Sequence, residues 1–155
     1  MNIRIANTED IVSLCQLYDE FFKYNNALQP YFCADAKESG QYPRSVIEGK
    51  TGDIFVAEMD NALIGFVHVE EEKTPPYPSV VQHAFACIVD FYVMAEHRKR
   101  GVGKALLEKV KAWAVNRGLE YLELFVLEEN EAGKDFYQQA GFKTASCTLR
   151  YVFGE

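Results

Sequence analysis

The sequence predicts a mixed α/β fold, and three observations carry that reading. Strand-type and helix-type segments alternate along the 155 residues. A hairpin pattern over residues 53–72 is followed by the long, largely apolar strand "HAFACIVDFYVMA". That strand passes directly through the glycine turn "HRKRGVGK" into a segment of helical period.

"NIRIA" reads as a first short strand. Thr8 then stands as the expected N-cap ahead of Glu9 and Asp10, acids that favour the positive end of a helix. Ile11, Leu14, Cys15, Tyr18, Phe21 and Phe22 follow at helical spacing, so this helix buries one face. Residues 25–44 are rich in aromatics and turn formers, and a second helix is expected from Ala34 to Gly49. The hairpin has its turn at Met59-Asp60-Asn61, and the prolines of "KTPPYPS" force a loop because they cannot sustain a ladder. Val102, Leu106, Val110 and Trp113 line one face of the next helix, which should stop at Gly118. "EYLELFVL" alternates as a strand, Asn130 caps a short helix running to Ala140, and "FKTASCTLRYVF" supplies two closing strands or a hairpin.

Composition narrows the class. The length suits one domain, residues 1–155, able to bury about two-thirds of the surface its unfolded chain exposes. Arg4, Glu9 and Asp10 interrupt the region where a signal peptide needs an apolar run. No stretch approaches the roughly 18 apolar residues of a membrane span, so the expected location is the cytoplasm, with no membrane partner. Cys15, Cys33, Cys87 and Cys147 lack metal-site spacing, so no metal is expected and the thiols read as free. A net charge of -7 argues against nucleic acid as a partner. Arg98–Lys111 nevertheless holds six Lys or Arg against one acid, Glu108, which points to one local anion site on an acidic body.

Such a loop has a physical use. The first turn of a helix leaves backbone N–H groups unpaired, and glycine lets the chain take positive φ there. "GVGK" is not a Walker A loop, because that motif needs glycine at the position of Arg98 and Ser or Thr at the position of Ala105. The dinucleotide pattern fails as well, since its third glycine would fall at Leu106. What fits is R-x-x-G-x-G, as Arg98-Lys99-Arg100-Gly101-Val102-Gly103, followed at a distance by "NEAGKDFYQQAGF", Asn130–Phe142.

These two motifs together resemble the GCN5-related N-acetyltransferase (GNAT) superfamily. Gly133 stands where the family usually has alanine. The resemblance implies a GNAT fold, with a central, mostly antiparallel, twisted sheet of six to seven strands flanked by about four helices. It also implies acetyl-CoA as the acyl donor. The backbone of Phe91, Tyr92 and Val93 would hold the pantetheine arm and polarise the acetyl oxygen. Arg98, Lys99, Arg100, Gly101, Val102, Gly103 and Lys104 would wrap the pyrophosphate. Asn130 would reach the pantetheine, or else serve only as a helix cap.

Transfer of acetyl to an amine needs a neutral nucleophile and a proton for the departing thiolate. An alkylamine with a pKa near 10 is under about one per cent neutral at pH 7, so it needs help from a base or from desolvation. By resemblance Tyr137 is the general acid. The acid that related enzymes often carry before the Asp-Phe pair is Val89 here, leaving Asp90 either as the base, direct or through water, or as a buried acid fixing the strand. Glu70, Glu71, Glu72 and His83 are further candidates, whereas His68 on a strand reads as packed. Tyr24, Tyr31, Phe32, Tyr42 and Tyr77 would line the acceptor site through cation–π contacts, or form a dimer surface or ordinary core. The expected function is acetylation of a small primary amine such as a polyamine; the sequence does not set the oligomeric state, and a homodimer is only what the resemblance implies. The alternatives are a protein N-terminus or lysine as acceptor, or a non-catalytic coenzyme A-binding module.

Overall fold

Residues 1–154 are described in the computed structural model. β1 (Asn2–Ile5), β2 (Gly52–Met59), β3 (Ala62–Lys73), β4 (Ala84–Val93) and β5 (Leu122–Leu124) form one sheet in that spatial order. The first four strands pair antiparallel, and β5 runs parallel to β4. The helices are α1 (Ile11–Leu28), α2 (Gln41–Ile47), α3 (Val102–Asn116) and α4 (Glu131–Gln139). This is the expected mixed α/β architecture with five strands rather than six or seven. Residues 142–152 form no strand, because a strand exists only in a ladder, and among the described residues none of 143–154 makes a backbone hydrogen bond to other backbone. "EYLELFVL" shrinks to β5 for the same reason: only Leu122–Leu124 reaches a partner.

The sheet buries both faces. On one, α3 sets Val102, Leu106, Val110 and Trp113 against Phe55, Val67, Val69 and Ile88. Trp113 also anchors the helix by donating its indole N–H to Asp53 at 2.7 Å. On the other, α1 and α2 bury Leu14, Tyr18 and Val46 against Ile54, Val56 and Phe66. Each such apolar side chain contributes about 1.5–3 kcal/mol.

Three local expectations change. α1 is entered through a 3₁₀ turn, Thr8–Asp10, and the cap is Asn7 rather than Thr8. The Asn7 side chain accepts from the Glu9 N–H, and the Asp10 carboxylate accepts from the Asn7 N–H, both at 2.8 Å. An acid three residues on makes the box reciprocal, and Thr8 has only Ile11 there. The second helix is shorter than Ala34–Gly49. It begins after Gly40, whose φ of +88° no α-helix can pass through. Its Pro43 sits in the first turn, where an N–H has no helical acceptor. The hairpin turn is Asp60-Asn61 alone, both left-handed at φ 51° and 61°, with Met59 still in β2.

Candidate active site

The site is opened by a mismatch between neighbouring strands. β5 pairs with β4 only from Ala86 to Ile88, so β4 from Val89 to Val93 keeps β3 on one edge and has no strand on the other. Phe91, Tyr92 and Val93, the expected pantetheine-binding backbone, lie on this stretch. Unpaired backbone of this kind needs a polar partner, and it suits an extended amide-containing ligand.

A bulge then decides which side chains face where. β3 pairs His68 with Asp90 but Val69 with Ile88, so Val89 is the extra residue. Val89 and Asp90 consequently both turn to the face of α1 and α2. Val89 is 43 % exposed in a pocket between α2 and β3, while Asp90 points under α1. Phe91 turns to the opposite face and meets Tyr137 of α4, with ring centroids 6.2 Å apart.

The glycine loop has the geometry expected of an anion cradle. Lys99 and Gly101 take φ of 58° and 84°, and no side chain caps α3. The two glycines differ in purpose. Gly101 supplies the left-handed turn, with open space around it. A Cβ on Gly103 would lie 3.3 Å from the Phe136 ring, so that glycine lets α4 close on α3. Arg98 folds away from the loop: its Nε donates to the Val93 carbonyl at 2.8 Å, and its guanidinium lies over Tyr24 (4.8 Å) and Tyr92 (5.3 Å). Lys99, Arg100 and Lys104 make no ion pair among the described residues, leaving their charge available.

Asn130 is a helix cap in fact. Its Oδ1 accepts from the Gly133 N–H and from the Tyr24 hydroxyl, each at 3.0 Å. A Cβ on Gly133 would come within 2.5 Å of the Asn130 amide, so the glycine is matched to this cap. Tyr137 packs among Phe91, Phe136 and Phe142. Burial raises its pKa above the ordinary tyrosine value, so the hydroxyl keeps its proton at neutral pH.

On the other face of β4, Asp90 Oδ2 accepts from the Tyr18 hydroxyl at 3.1 Å and the Tyr42 hydroxyl at 3.3 Å. His68 lies behind, 2 % exposed, with Nδ1 3.0 Å from Tyr42 Oη and 3.5 Å from Asp90. Its Nε2 lies 2.8 Å from Glu70. His68 is therefore buried, as expected, but in a polar network rather than in apolar packing. Burial alone would lower its pKa; hydrogen bonds to Asp90 and Glu70 outweigh this and hold it above the usual histidine value. Tyr18 was legible only as a helix-face core residue, and nothing in the spacing linked it to Asp90, 72 residues away.

The remaining candidates are dispersed. Glu71 meets Arg117, and His83 pairs with Glu120 at 2.7 Å at the start of β4. Tyr31 and Phe32 form an exposed edge-on pair with Arg150 over Phe32, and Tyr77 is exposed on the proline loop. Only Tyr24 and Tyr42 among the five aromatics touch the residues around β4.

The unpaired edge of β4, the uncapped glycine turn and the Phe91–Tyr137 contact lie on one scaffold, and comparison with known proteins gives its class as that of the acetyltransferases. Residues 11–142 match the acetyltransferase (GNAT) family, and the chain belongs to it: it is a GNAT N-acetyltransferase, an enzyme of a family that uses acetyl-CoA. It is 24 % identical over 151 residues to the uncharacterized N-acetyltransferase YhfO of Bacillus subtilis, covering 97 % of this chain and 95 % of that one. Over 52 residues it is 36 % identical to a thialysine N-epsilon-acetyltransferase of Bos taurus, a match spanning 34 % of this chain and 31 % of that protein. A solved structure of a mutant form of the BH1408 protein from Bacillus halodurans superposes with a TM-score of 0.93 at 18 % identity, covering 99 % of each chain, which shows the fold.

Proposed function

We propose that this N-acetyltransferase acts on a small primary amine such as a polyamine, by direct transfer, as one domain of residues 1–155 in the cytoplasm. The observation that carries the reading is the Phe91–Tyr137 contact beside the unpaired stretch of β4, with Asp90 on the reverse face. Acetyl-CoA supplies the activated acyl group. The backbone of Phe91, Tyr92 and Val93 holds its pantetheine arm and acetyl oxygen. The amides from Lys99 to Lys104, with the side chains of Lys99, Arg100 and Lys104, hold the pyrophosphate. Arg98 and Asn130 contribute by fixing the walls of this cleft through Tyr24. Asp90 takes the amine proton, and Tyr137 gives its proton to the departing thiolate. The two proton transfers thus fall on opposite faces of one strand. The small-amine acceptor is supported by the thialysine relative and by the carboxylates Glu70 and Glu72 in the pocket beside Asp90.

The test is thiol release from acetyl-CoA with a panel of polyamines, other small amines and peptides. We expect turnover on the small amines. Tyr137→Phe should lower kcat by about 100-fold or more with acetyl-CoA binding retained, the usual share of a general acid. Unchanged kcat in that variant would remove Tyr137 from the reaction, and release with peptides alone would transfer the assignment to a protein acceptor.

We further infer a homodimer. Phe125, just after the edge strand β5, and Leu149, Tyr151 and Phe153 in the C-terminal segment are 83–90 % exposed. The segment 142–154 carries Lys143 and Arg150 and no acid, while residues 120–129 carry Glu120, Glu123, Glu128 and Glu129. One copy's segment therefore complements the other's edge in charge and hydrophobicity. Light scattering should give twice the chain mass, and Leu149→Asp with Phe153→Asp should halve it; a monomeric wild type would refute the dimer.

A further inference from the structure

His68 occupies a position where an apolar residue would be cheaper. Its neighbours on the same face of the sheet are Phe66, Ile54 and Val56, all buried. Burying an imidazole there needs partners for both nitrogens, and each is provided. Nε2 meets Glu70, and Nδ1 meets Tyr42 and, behind it, Asp90. The Glu70 carboxylate itself lies over Gly52, where a Cβ would come within 2.3 Å of it. The bare glycine at the start of β2 thus makes the room that lets Glu70 stay on the ring.

We propose that His68, fixed by Glu70, Tyr42 and Gly52, is the positioning residue that decides when Asp90 can accept the amine proton. With the ring neutral, Nε2–H donates to Glu70 and Nδ1 accepts the Tyr42 hydroxyl, so Asp90 keeps the Tyr18 hydroxyl and stays open to the acceptor. With the ring protonated, Nδ1–H is held against Asp90 and Tyr42, and the imidazolium repels the acceptor's ammonium from the carboxylate. The groups facing the ring are Glu70 on its own strand, Asp90 on β4 and Tyr42 on α2. Tyr18 on α1 stands behind Asp90, and Glu72 lies farther along β3 in the pocket that Glu70 lines. Glu38, in the segment before α2, adds its field to Tyr18 and Tyr42. No lysine or arginine lines that pocket, so His68 is the one lining side chain that can carry positive charge there. The raised pKa of the ring accords with this arrangement.

The inference rests on Asp90 as the base, and the experiment separates the two. Amine-dependent thiol release is followed from pH 5.5 to 9.5 in the wild type, Glu70→Gln and Gly52→Ala, and His68 is titrated by NMR in each. His68 is assigned among the three histidines by its loss in His68→Gln. The acid limb of kcat/KM for the amine should coincide with the His68 midpoint, above about 6.5. In both variants limb and midpoint should move down together, by about one pH unit or more in Glu70→Gln, since an opposite charge at this range shifts a pKa by about 1–3 units. Gly52→Ala keeps both the acid and the histidine and changes only their contact, so it answers even where Glu70→Gln folds poorly. A limb that stays in place while the His68 midpoint moves would overturn the inference alone. Absence of amine-dependent release in the wild type would overturn the proposed function, and this inference with it.

Discussion

The helix that carries Tyr137 is held by few contacts, which makes Asn130→Ala an informative substitution. No residue of α4 is fully buried, so its position depends on Phe136 and Tyr137 at one side and on the Asn130 cap. Removing the side-chain amide leaves the Gly133 N–H without its acceptor, a loss of about 1 kcal/mol for a helix cap. It also leaves the Tyr24 hydroxyl without Asn130, a further loss of about 1 kcal/mol. At about 2–4 °C per kcal/mol for a chain of this size, the sum of about 2 kcal/mol lowers Tm by about 4–8 °C. Scanning calorimetry of the wild type, Asn130→Ala and Asn130→Asp measures it. Aspartate keeps the accepting oxygen and favours the helix N-terminus, so Asn130→Asp should stay within about 2 °C of the wild type. A fall below about 2 °C in Asn130→Ala, or an equal fall in both variants, would refute the cap as the fastening of α4.

Gly101→Ala meets no neighbouring atom, yet forces a Cβ into left-handed backbone at φ 84°; it should cost about 1–2 kcal/mol by chemical denaturation and weaken acetyl-CoA binding. Unchanged binding would separate the loop from the pyrophosphate. The raised pKa of His68 adds stability that is fully present below its unfolded value of about 6.5 and is lost as pH rises through the folded value. The difference in Tm between wild type and His68→Gln should therefore shrink from pH 6 to pH 9, and a difference that grows over this range would contradict the network. Asp10 runs in the opposite sense. Its two oxygens meet Arg4 at 2.7 and 2.8 Å, and these bonds hold its pKa below the ordinary aspartate value. Its contribution is present above the unfolded pKa and lost as pH falls through the folded one, so Asp10→Asn should flatten the acid side of the stability curve; an unaltered acid side would exclude it.

Much of the chain was legible where local chemistry decides. The glycine turn, the α3 face from Val102 to Trp113, the stop at Gly118 and the cap at Asn130 each depend on a few neighbouring residues, and each stands where the sequence indicates. Pairing was not legible. β5 and the segment after Gly141 have strand-like alternation, but a strand needs a partner, and the chain supplies β5 with only three residues of one. A one-residue bulge at Val89 was equally invisible, because nothing in the run "IVDFYV" distinguishes the residue that leaves the ladder.

The sequence by itself therefore determined the fold class, the family and the two segments that flank the cleft, since a left-handed glycine and a side-chain cap act within a few residues. Tertiary structure alone decided what surrounds Asp90 and Tyr137. It set Tyr18, Tyr42 and His68 around Asp90, with Glu70 on the far side of the His68 ring, and Phe91 against Tyr137. These contacts join β3, β4 and three helices, and their geometry follows from register and close packing.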